Sequence, residues 1–573
     1  MRYLLIFWNI LVALQVCSQK YDYNWFAGDN TILNYPTTNF ILSFNNYPVT
    51  INPVTTNYFL NLTHHSMSSS NGNFLYYSNG CSIWQYDVPP ILISDELNNN
   101  DYVCGNAQQE AMNLQHALFS LPISNNRFMV FGYTIIPQTN CYIQKFYYHT
   151  INFSSGVGQI ESQDVVIAEG CFNGSAPNRH ANGRDWWILL SDQNEHRYYR
   201  WLLTPEGLSQ PDTQNISQVA LPGKIRGWYE FSPNGQKLAA RYQDTGTALY
   251  DFDRCTGILS NCKLLHKTSI YSGYIAFSPN NRYLYTDDNS LKTLIQYDLM
   301  APDIENSEQI VSSYDGFIDS LTLYPVTFEA MTRGPDGKIY SFGSVSHYMH
   351  IIDFPDRLGV DCHVRQRAIT FPSSTFGANA YYPNYRLGPI DGSSCDSLGI
   401  DNTPMAMYHY DIEDTLVPLS ITFTDASYYE PTNWYWTFGD GSSSTEVSPV
   451  HTYLGPGMYT ACLVVSNQYG IDTLCRDILV DDISGVSNLP ALPQVRVSPN
   501  PFNDVLQVQL PAMVSGVQPQ FRLLDLFGRE VFRTTLRDFD NVLSVKELPA
   551  GMYVWQVAWK GKVTQAGKIV GMK

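Results

Sequence analysis

The chain has 573 residues, with 52 Asp and Glu against 34 Lys and Arg and a formal net charge of −18. That length exceeds one ordinary domain, and aromatics at 14% beside charged residues at only 15% suit β-rich extracellular architecture, not a helical cytoplasmic enzyme. The acidic balance has the wrong sign for neutralising phosphate, which argues against nucleic acid as a partner.

Residues 1–18 read as a signal peptide: Arg2 supplies the positive end, Leu4 to Val16 the apolar core, and Val16-x-Ser18 a small-residue cleavage site. The apolar run is too short for a membrane anchor, and Val16 is a poor fit to lipoprotein processing at Cys17. Of the 11 cysteines, ten lie outside the leader, an even number in an exported chain, so disulfides are expected. Sequential pairing gives Cys81–Cys104, Cys141–Cys171, Cys255–Cys262, Cys362–Cys395 and Cys462–Cys475. No zinc-type Cys/His spacing is present.

Residues 19–389 carry a recurring turn. It reads Phe231-Ser232-Pro233-Asn234-Gly235, then Phe277-Ser278-Pro279-Asn280-Asn281, then Arg333-Gly334-Pro335-Asp336-Gly337, with looser copies at Asn71-Gly72, Asn125-Asn126 and Asn182-Gly183. Pro presets one backbone angle, and the following pair tolerates the left-handed conformation of a tight hairpin. The markers Gly72, Asn126, Gly183, Gly235, Asn281 and Gly337 are 54, 57, 52, 46 and 56 residues apart. Each is followed by short apolar-aromatic runs, so four strands per unit predict an all-β fold with a β-propeller. Six markers are visible. Pieces near residues 21–60 and 365–390 are expected to close a seventh blade together, hiding the sheet edges. A parallel β-helix has shorter coils than these units.

The most site-like stretch is Arg179 to Trp187. It places an acid/base candidate (His180), a carboxylate (Asp185) and a fork-shaped guanidinium (Arg184) beside two ligand-stacking candidates, Trp186 and Trp187. The structural reading is a blade corner in which Asn182-Gly183 turns the chain and Arg184 pairs with Asp185. No nucleophile elbow, phosphate loop or dinucleotide fingerprint occurs. No cofactor is indicated. Calcium is the one metal left open, at Asp287, Asp288 and Asp440 in expected surface loops, although none belongs to an alternating ligand series. His64, His65, His347 and His350 lack acidic or cysteine companions in sequence and are expected in solvated loops.

Residues 390–404 form a Gly/Ser/Asp-rich linker. Period-two alternation then resumes in Leu419–Phe423 and Trp434–Phe438, followed by Gly439-Asp440-Gly441, Pro449–Tyr453 and Gly457–Val465. Over residues 405–482 the Trp-x-Phe-Gly-Asp-Gly and Pro-x-His-x-Tyr patterns resemble a PKD domain, which implies an immunoglobulin-like sandwich serving as a spacer. Trp436 and Phe438 fall on one strand face with Trp434, and Ala461, Leu463 and Val465 on another, as a core requires. A hairpin across Ser466–Ile471 sets Cys462 opposite Cys475. Sugar stacking is the functional alternative for the aromatics here.

A second linker, 483–493, precedes residues 494–573. There 10 Lys and Arg face 6 Asp and Glu, net +4, whereas residues 19–493 carry 23 against 46, net −23. The Pro499-Asn500-Pro501 opening, Gly528, the Leu548-Pro549-Ala550-Gly551-x-Tyr553 segment and the terminal Lys573 resemble the type A C-terminal sorting domain of type IX secretion substrates in Bacteroidetes. The resemblance implies a third β-domain, also immunoglobulin-like, recognised by the outer-membrane type IX machinery. It also implies cleavage between Asp481 and Pro493, and either attachment of the passenger to surface lipopolysaccharide or its release. The architecture without a catalytic signature points to a surface binding or adhesion module for polysaccharide or a surface protein. The alternatives are a propeller-fold carbohydrate-active hydrolase or lyase using His180, Arg184 and Asp185, and a purely structural adhesin.

Overall fold

A computed structural model describes residues 19–573 apart from 29–38, 55–63, 88–89, 96–117, 136–142, 194–196, 217–226, 243–245, 266–273, 289–291, 344, 376–380, 413–418, 481–494, 500, 510–518, 526–528, 537–539, 560–561 and 573. The leader, Cys17, Cys104, Cys141, the 483–493 linker, the cleavage region and the motif residues Asn500, Gly528 and Lys573 lie outside the described residues. The chain divides into two compact units. One comprises residues 1–410, 423–449 and 460–476, the other 411–422, 450–459 and 477–573.

In the first unit, the described strands before residue 380 make seven blades. Blade 1 has three strands, Asn24–Ala27, Asn39–Ser43 and Thr50–Val54. Blade 2 spans residues 65–94, and one eight-stranded sheet spans 119–215. Blades 5, 6 and 7 are four-stranded sheets over residues 227–265, 275–313 and 329–375. The eight-stranded sheet is two blades joined by one strand. Gln159–Arg179 pairs first with Ile143–Asn152 and then, from Phe172 onward, with Trp186–Asp192. It is thus the outermost strand of blade 3 and the innermost of blade 4. Pairings within these blades are antiparallel, the pattern of a propeller and not of a parallel β-helix.

The recurring turns behave as their residues dictate. Gly72, Gly183, Gly235, Asn281 and Gly337 all have positive φ, between 63° and 87°. In two of the turns the preceding serine locks the conformation. Ser232 Oγ accepts from the Lys237 amide at 2.9 Å and donates to Asn234 Oδ1 at 2.7 Å. Ser278 does the same with Tyr283 and Asn280. After these turns, second strands such as Lys237–Tyr242 are buried along nearly their whole length because neighbouring blades cover both faces.

Closure of the ring departs in detail from the sequence reading. Val364–Thr375 is the outer strand of blade 7, not part of the seventh-blade closure. Blade 1 comes from the N-terminal strands, and Tyr381–Leu387 fills the axis beside it. Tyr382 stacks on Trp25 at 5.8 Å and its hydroxyl meets Ser66 Oγ at 2.5 Å. Tyr385 donates to Ser120 O at 2.8 Å, and Asn384 to Pro233 O at 2.7 Å. Blades 1 and 7 meet through Trp25 and Phe44 on Tyr340, and through Phe40 stacked on Phe371.

Over the described part of residues 405–482 the strands show the register expected of the core. Trp436 lies opposite Leu463 and Thr437 opposite Cys462, and Trp436, Phe438, Ala461, Leu463 and Val465 are all buried. Cys462 is bonded to Cys475. Two sequential pairings are corrected. Cys255 bonds Cys395 across 140 residues, whereas Cys262 and Cys362 are free thiols. The local pairing fails because Cys255 sits in the turn that faces residues 390–396, whereas Cys262 lies on the following strand among Tyr250 and Leu259. Cys81 and Cys171 are disulfide-bonded, with partners outside the described residues.

In the second unit, residues 496–571 form two sheets over a shared core that includes Leu506, Val508, Phe521, Leu523, Val557 and Ile569. Phe502, next to the Pro-Asn-Pro opening, exchanges backbone bonds with Val570 and Met572 at 2.8 Å each. Tyr553 donates to Pro549 O at 2.5 Å. The opening motif, the Leu-Pro-Ala-Gly-x-Tyr motif and the last strand therefore meet in one small domain.

Candidate functional site

The Arg179–Trp187 stretch is a blade corner in which most polar groups bond one another or nearby backbone, although Arg179 Nε and Trp186 Nε1 are buried without a protein partner. His180 Nδ1 accepts from the Asn182 amide at 3.1 Å, so Nε2 carries the proton and donates to Cys255 O at 3.1 Å. Asp185 accepts from Asn182 Nδ2 and Arg184 Nε, each at 2.7 Å. Trp186 is 1% exposed beneath the Arg179 guanidinium at 4.0 Å. Trp187 spends its Nε1 donor on Arg254 O at 2.8 Å. A Cβ at Gly257 would stand 2.9 Å from the Trp187 ring, so the indole face is covered by backbone. The structure brings His180, Arg184, Asp185, Trp186 and Trp187 together in one blade corner, where these bonds serve the structural reading of the stretch.

The histidine and aspartate expectations also change. His64, His65 and His350 are buried, and His347 Nδ1 lies 2.9 Å from Asp319 Oδ2. Asp287 and Asp288 end the second strand of blade 6 and are buried, not in a surface loop. Asp440 is exposed and accepts from the Ser442 amide at 2.9 Å. Among the described residues no group of three or more His, Cys, Asp or Glu is placed to hold a metal ion.

What sequence reasoning missed is a polar cluster between blades 5, 6 and 7. Arg241, on the second strand of blade 5, and Asp287 are each 1% exposed. Arg241 Nη1 donates to Thr247 Oγ1 at 3.3 Å, but its Nε and Nη2 have no partner within the protein. Asp287 accepts from the Tyr274 amide through one oxygen, and its Oδ2 is likewise without a protein partner. Burial pushes the Asp287 carboxyl up to about 8, with Arg241 opposing and Glu329 adding to the rise. Nearby, burial also pushes Glu230 up to about 8 against the pull of Arg333, and Arg333 Nη1 has no protein partner. Strand patterning could not reveal the cluster, because its members come from separate blades. The one sequence signal was the Asp287-Asp288 pair inside an apolar run.

The pH consequence follows from linkage. An Asp titrating near 3.9 when unfolded and near 8 when folded binds its proton more tightly in the native state. Its contribution to stability is complete below about pH 4 and is lost as pH rises toward 8. Urea unfolding midpoints of an Asp287→Asn variant should accordingly fall less than those of the parent between pH 5 and 8. Parallel slopes in the two proteins would show that Asp287 does not hold the proton.

Comparison with known proteins places the two C-terminal regions. Residues 402–480 match the family model described as PKD domain, and residues 496–571 the one described as secretion system C-terminal sorting domain. The chain carries a type IX sorting domain. That domain marks the protein for passage across the outer membrane to the cell surface or the extracellular space. A microbial collagenase of Vibrio alginolyticus is 33% identical over 76 residues, which cover 12% of this chain and 9% of the collagenase. The chain thus spans only a small part of that curated relative. The PKD1 domain of the Vibrio cholerae metalloprotease PrtV is 29% identical, with 14% of this chain and 99% of that domain covered at a TM-score of 0.13. A putative 6-phosphogluconolactonase from Bacteroides uniformis covers 61% of this chain and 97% of its own length, at 13% identity and a TM-score of 0.40.

Proposed function

We propose that the protein is a surface binding module, exported through its sorting domain, whose propeller holds a hydroxyl-rich ligand of the polysaccharide class at the Arg241–Asp287 cluster. The observation that carries this reading is the pair itself: two buried side chains in separate blades keep donors and an acceptor that no protein group satisfies. Each such atom costs roughly 1–3 kcal/mol unless something else bonds it. Guanidinium N–H groups and a carboxyl oxygen that feel each other's charge without bonding offer donor and acceptor in one region, which suits sugar hydroxyls. Engagement of His180 and Asp185 in the blade corner favours binding over hydrolysis or lyase chemistry.

The test is a panel of soluble and insoluble polysaccharides against the full chain, scored for retention and for released reducing ends. Retention without release, weakened about tenfold or more by Arg241→Met (the loss of one to two good hydrogen bonds), is the expected result. Release of sugar that survives His180→Ala would place catalysis elsewhere and overturn the binding-only reading. A blank panel would favour a protein ligand at the cell surface.

A further inference from the structure

The sequence presents the PKD segment as a spacer on a linker, but the described contacts make it part of the propeller's closure. The strand following the linker begins at Tyr408, and Tyr47, in the blade 1 turn, donates to Tyr410 O at 2.9 Å with the two rings 4.8 Å apart. Tyr428, from the PKD loop, donates to Pro335 O in the blade 7 turn at 2.9 Å. Arg386, from the axial segment, lies 4.7 Å from the Tyr428 ring. Met405 and Met407 join the same buried cluster as Trp25, Phe44 and Tyr340, the side chains that join blade 1 to blade 7.

Two independent features show that this seating is built in. Tyr429 and Glu430 have φ of 65° and 48°, two consecutive non-glycine residues in the left-handed region. Such a conformation persists where the surroundings over-determine it. The second feature is the pair of glycines that allow close approach. A Cβ at Gly388 would meet the Tyr429 ring at 2.9 Å, and one at Gly337 would stand 3.4 Å from the Ala426 Cβ.

From these contacts we infer that two segments of the PKD region that belong to the propeller's own unit, residues 405–410 and the Ala426–Glu430 loop, are a clasp across the seam where the first and last blades meet. A ring of blades is held at that seam only by side-chain packing wherever no strand pairs across it, and a body bonded to both sides resists its opening. Tyr47 is the grip on one side and Pro335 on the other. The surface is intramolecular, and its partner is the Ala426–Glu430 loop of the same chain.

A cross-link and an exchange measurement test the clasp on the full chain. The double variant Gly337→Cys with Ala426→Cys would set the two Cβ atoms 3.4 Å apart, close to disulfide spacing, with a non-glycine residue held at the turn's φ of 83°. A peptide pair joined through these positions should appear in a non-reduced digest. Recovery of both new thiols in alkylated form would overturn the docking. The second variant, Tyr428→Ala, removes one grip without altering either turn. Amide exchange should then accelerate on the order of tenfold, the equivalent of a lost hydrogen bond, in both Asn39–Ser43 of blade 1 and Ile339–Phe342 of blade 7. Lys237–Tyr242 of blade 5 should stay unchanged. Acceleration confined to residues 426–430 would overturn the clasp and leave an ordinary docked loop.

Discussion

Replacing Asp22 by Ala should cost about 3–5 kcal/mol of stability, the range for breaking one side of a buried ion pair. Asp22 and Arg386 are 4% and 5% exposed, and the guanidinium meets the carboxylate in a two-point fork at 2.5 and 2.6 Å. Burial alone works against the Arg386 charge; Asp22, with Tyr428 and Tyr23, more than offsets it and holds the arginine ionised. Without Asp22 the guanidinium would keep Gln19 O at 3.2 Å and the Tyr23 and Tyr428 rings, none of which carries a formal charge. The cost is larger than that of an exposed pair such as Arg282–Asp298, because water cannot take over the lost partner. Urea unfolding of the full chain, followed by tryptophan fluorescence near Trp25, measures it. Adding Arg386→Met to Asp22→Ala should recover part of the loss, because the stranded charge goes too. A double variant as weak as the sum of the singles would mean that the two residues act independently.

That pair also shows how much of the fold was legible. The turns were readable because Ser-Pro-Asn-Gly chemistry is local: Ser232, Asn234 and Gly235 need only each other and Lys237 to form. Their spacing marked six units; the seventh was expected from the chain ends together, whereas the N-terminal strands alone form that blade. The axial segment Tyr381–Leu387 was harder to place, since Tyr-Tyr-Pro-Asn-Tyr looks like one more strand and turn. Its aromatic rings instead pack against residues from several blades, and only assembled geometry brings Asp22 to Arg386 across 364 positions.

The candidate site was less legible for the same reason. Arg179 to Trp187 attracted a functional reading because reactive residue types are adjacent in sequence. Adjacency on a turn, however, lets Asn182, Arg184 and Asp185 satisfy one another. Arg241 and Asp287 sit 46 positions apart in the chain and carry no motif, yet the blades bring their unpartnered atoms into one buried region. The sorting domain was legible because its motif residues are consecutive and positioned at its edges. In the structure Phe502, directly after the Pro-Asn-Pro opening, ties the start of the domain to its last strand, and Tyr553 closes its own motif onto Pro549.

Removal of the Cys255–Cys395 bond, by changing both residues to Ser, should destabilise the protein by about 5 kcal/mol on the chain-entropy argument. The bond closes 140 residues, and the entropy withheld from the unfolded chain grows with the logarithm of that length. The Cys462–Cys475 bond closes 13, so its double Ser variant should lose about 2 kcal/mol less. Changing both partners matters for the first bond. Cys262 is a free thiol seven positions beyond Cys255, and a lone Cys395→Ser variant would leave Cys255 able to form the local pairing that the native fold avoids. Arg254 donates to Arg179 O at 3.0 Å, His180 O at 3.1 Å and Gly388 O at 2.5 Å, so blade 5 stays tied to the exit segment when the sulfurs are gone. The variant should therefore fold and unfold cooperatively at a lower urea midpoint, with little change in the denaturant slope of the folded baseline. Equal losses for the two bonds would show that loop length does not set the effect. The Cys255–Cys395 bond would then act through native contacts at Arg254, and an Arg254→Met variant would reproduce its cost.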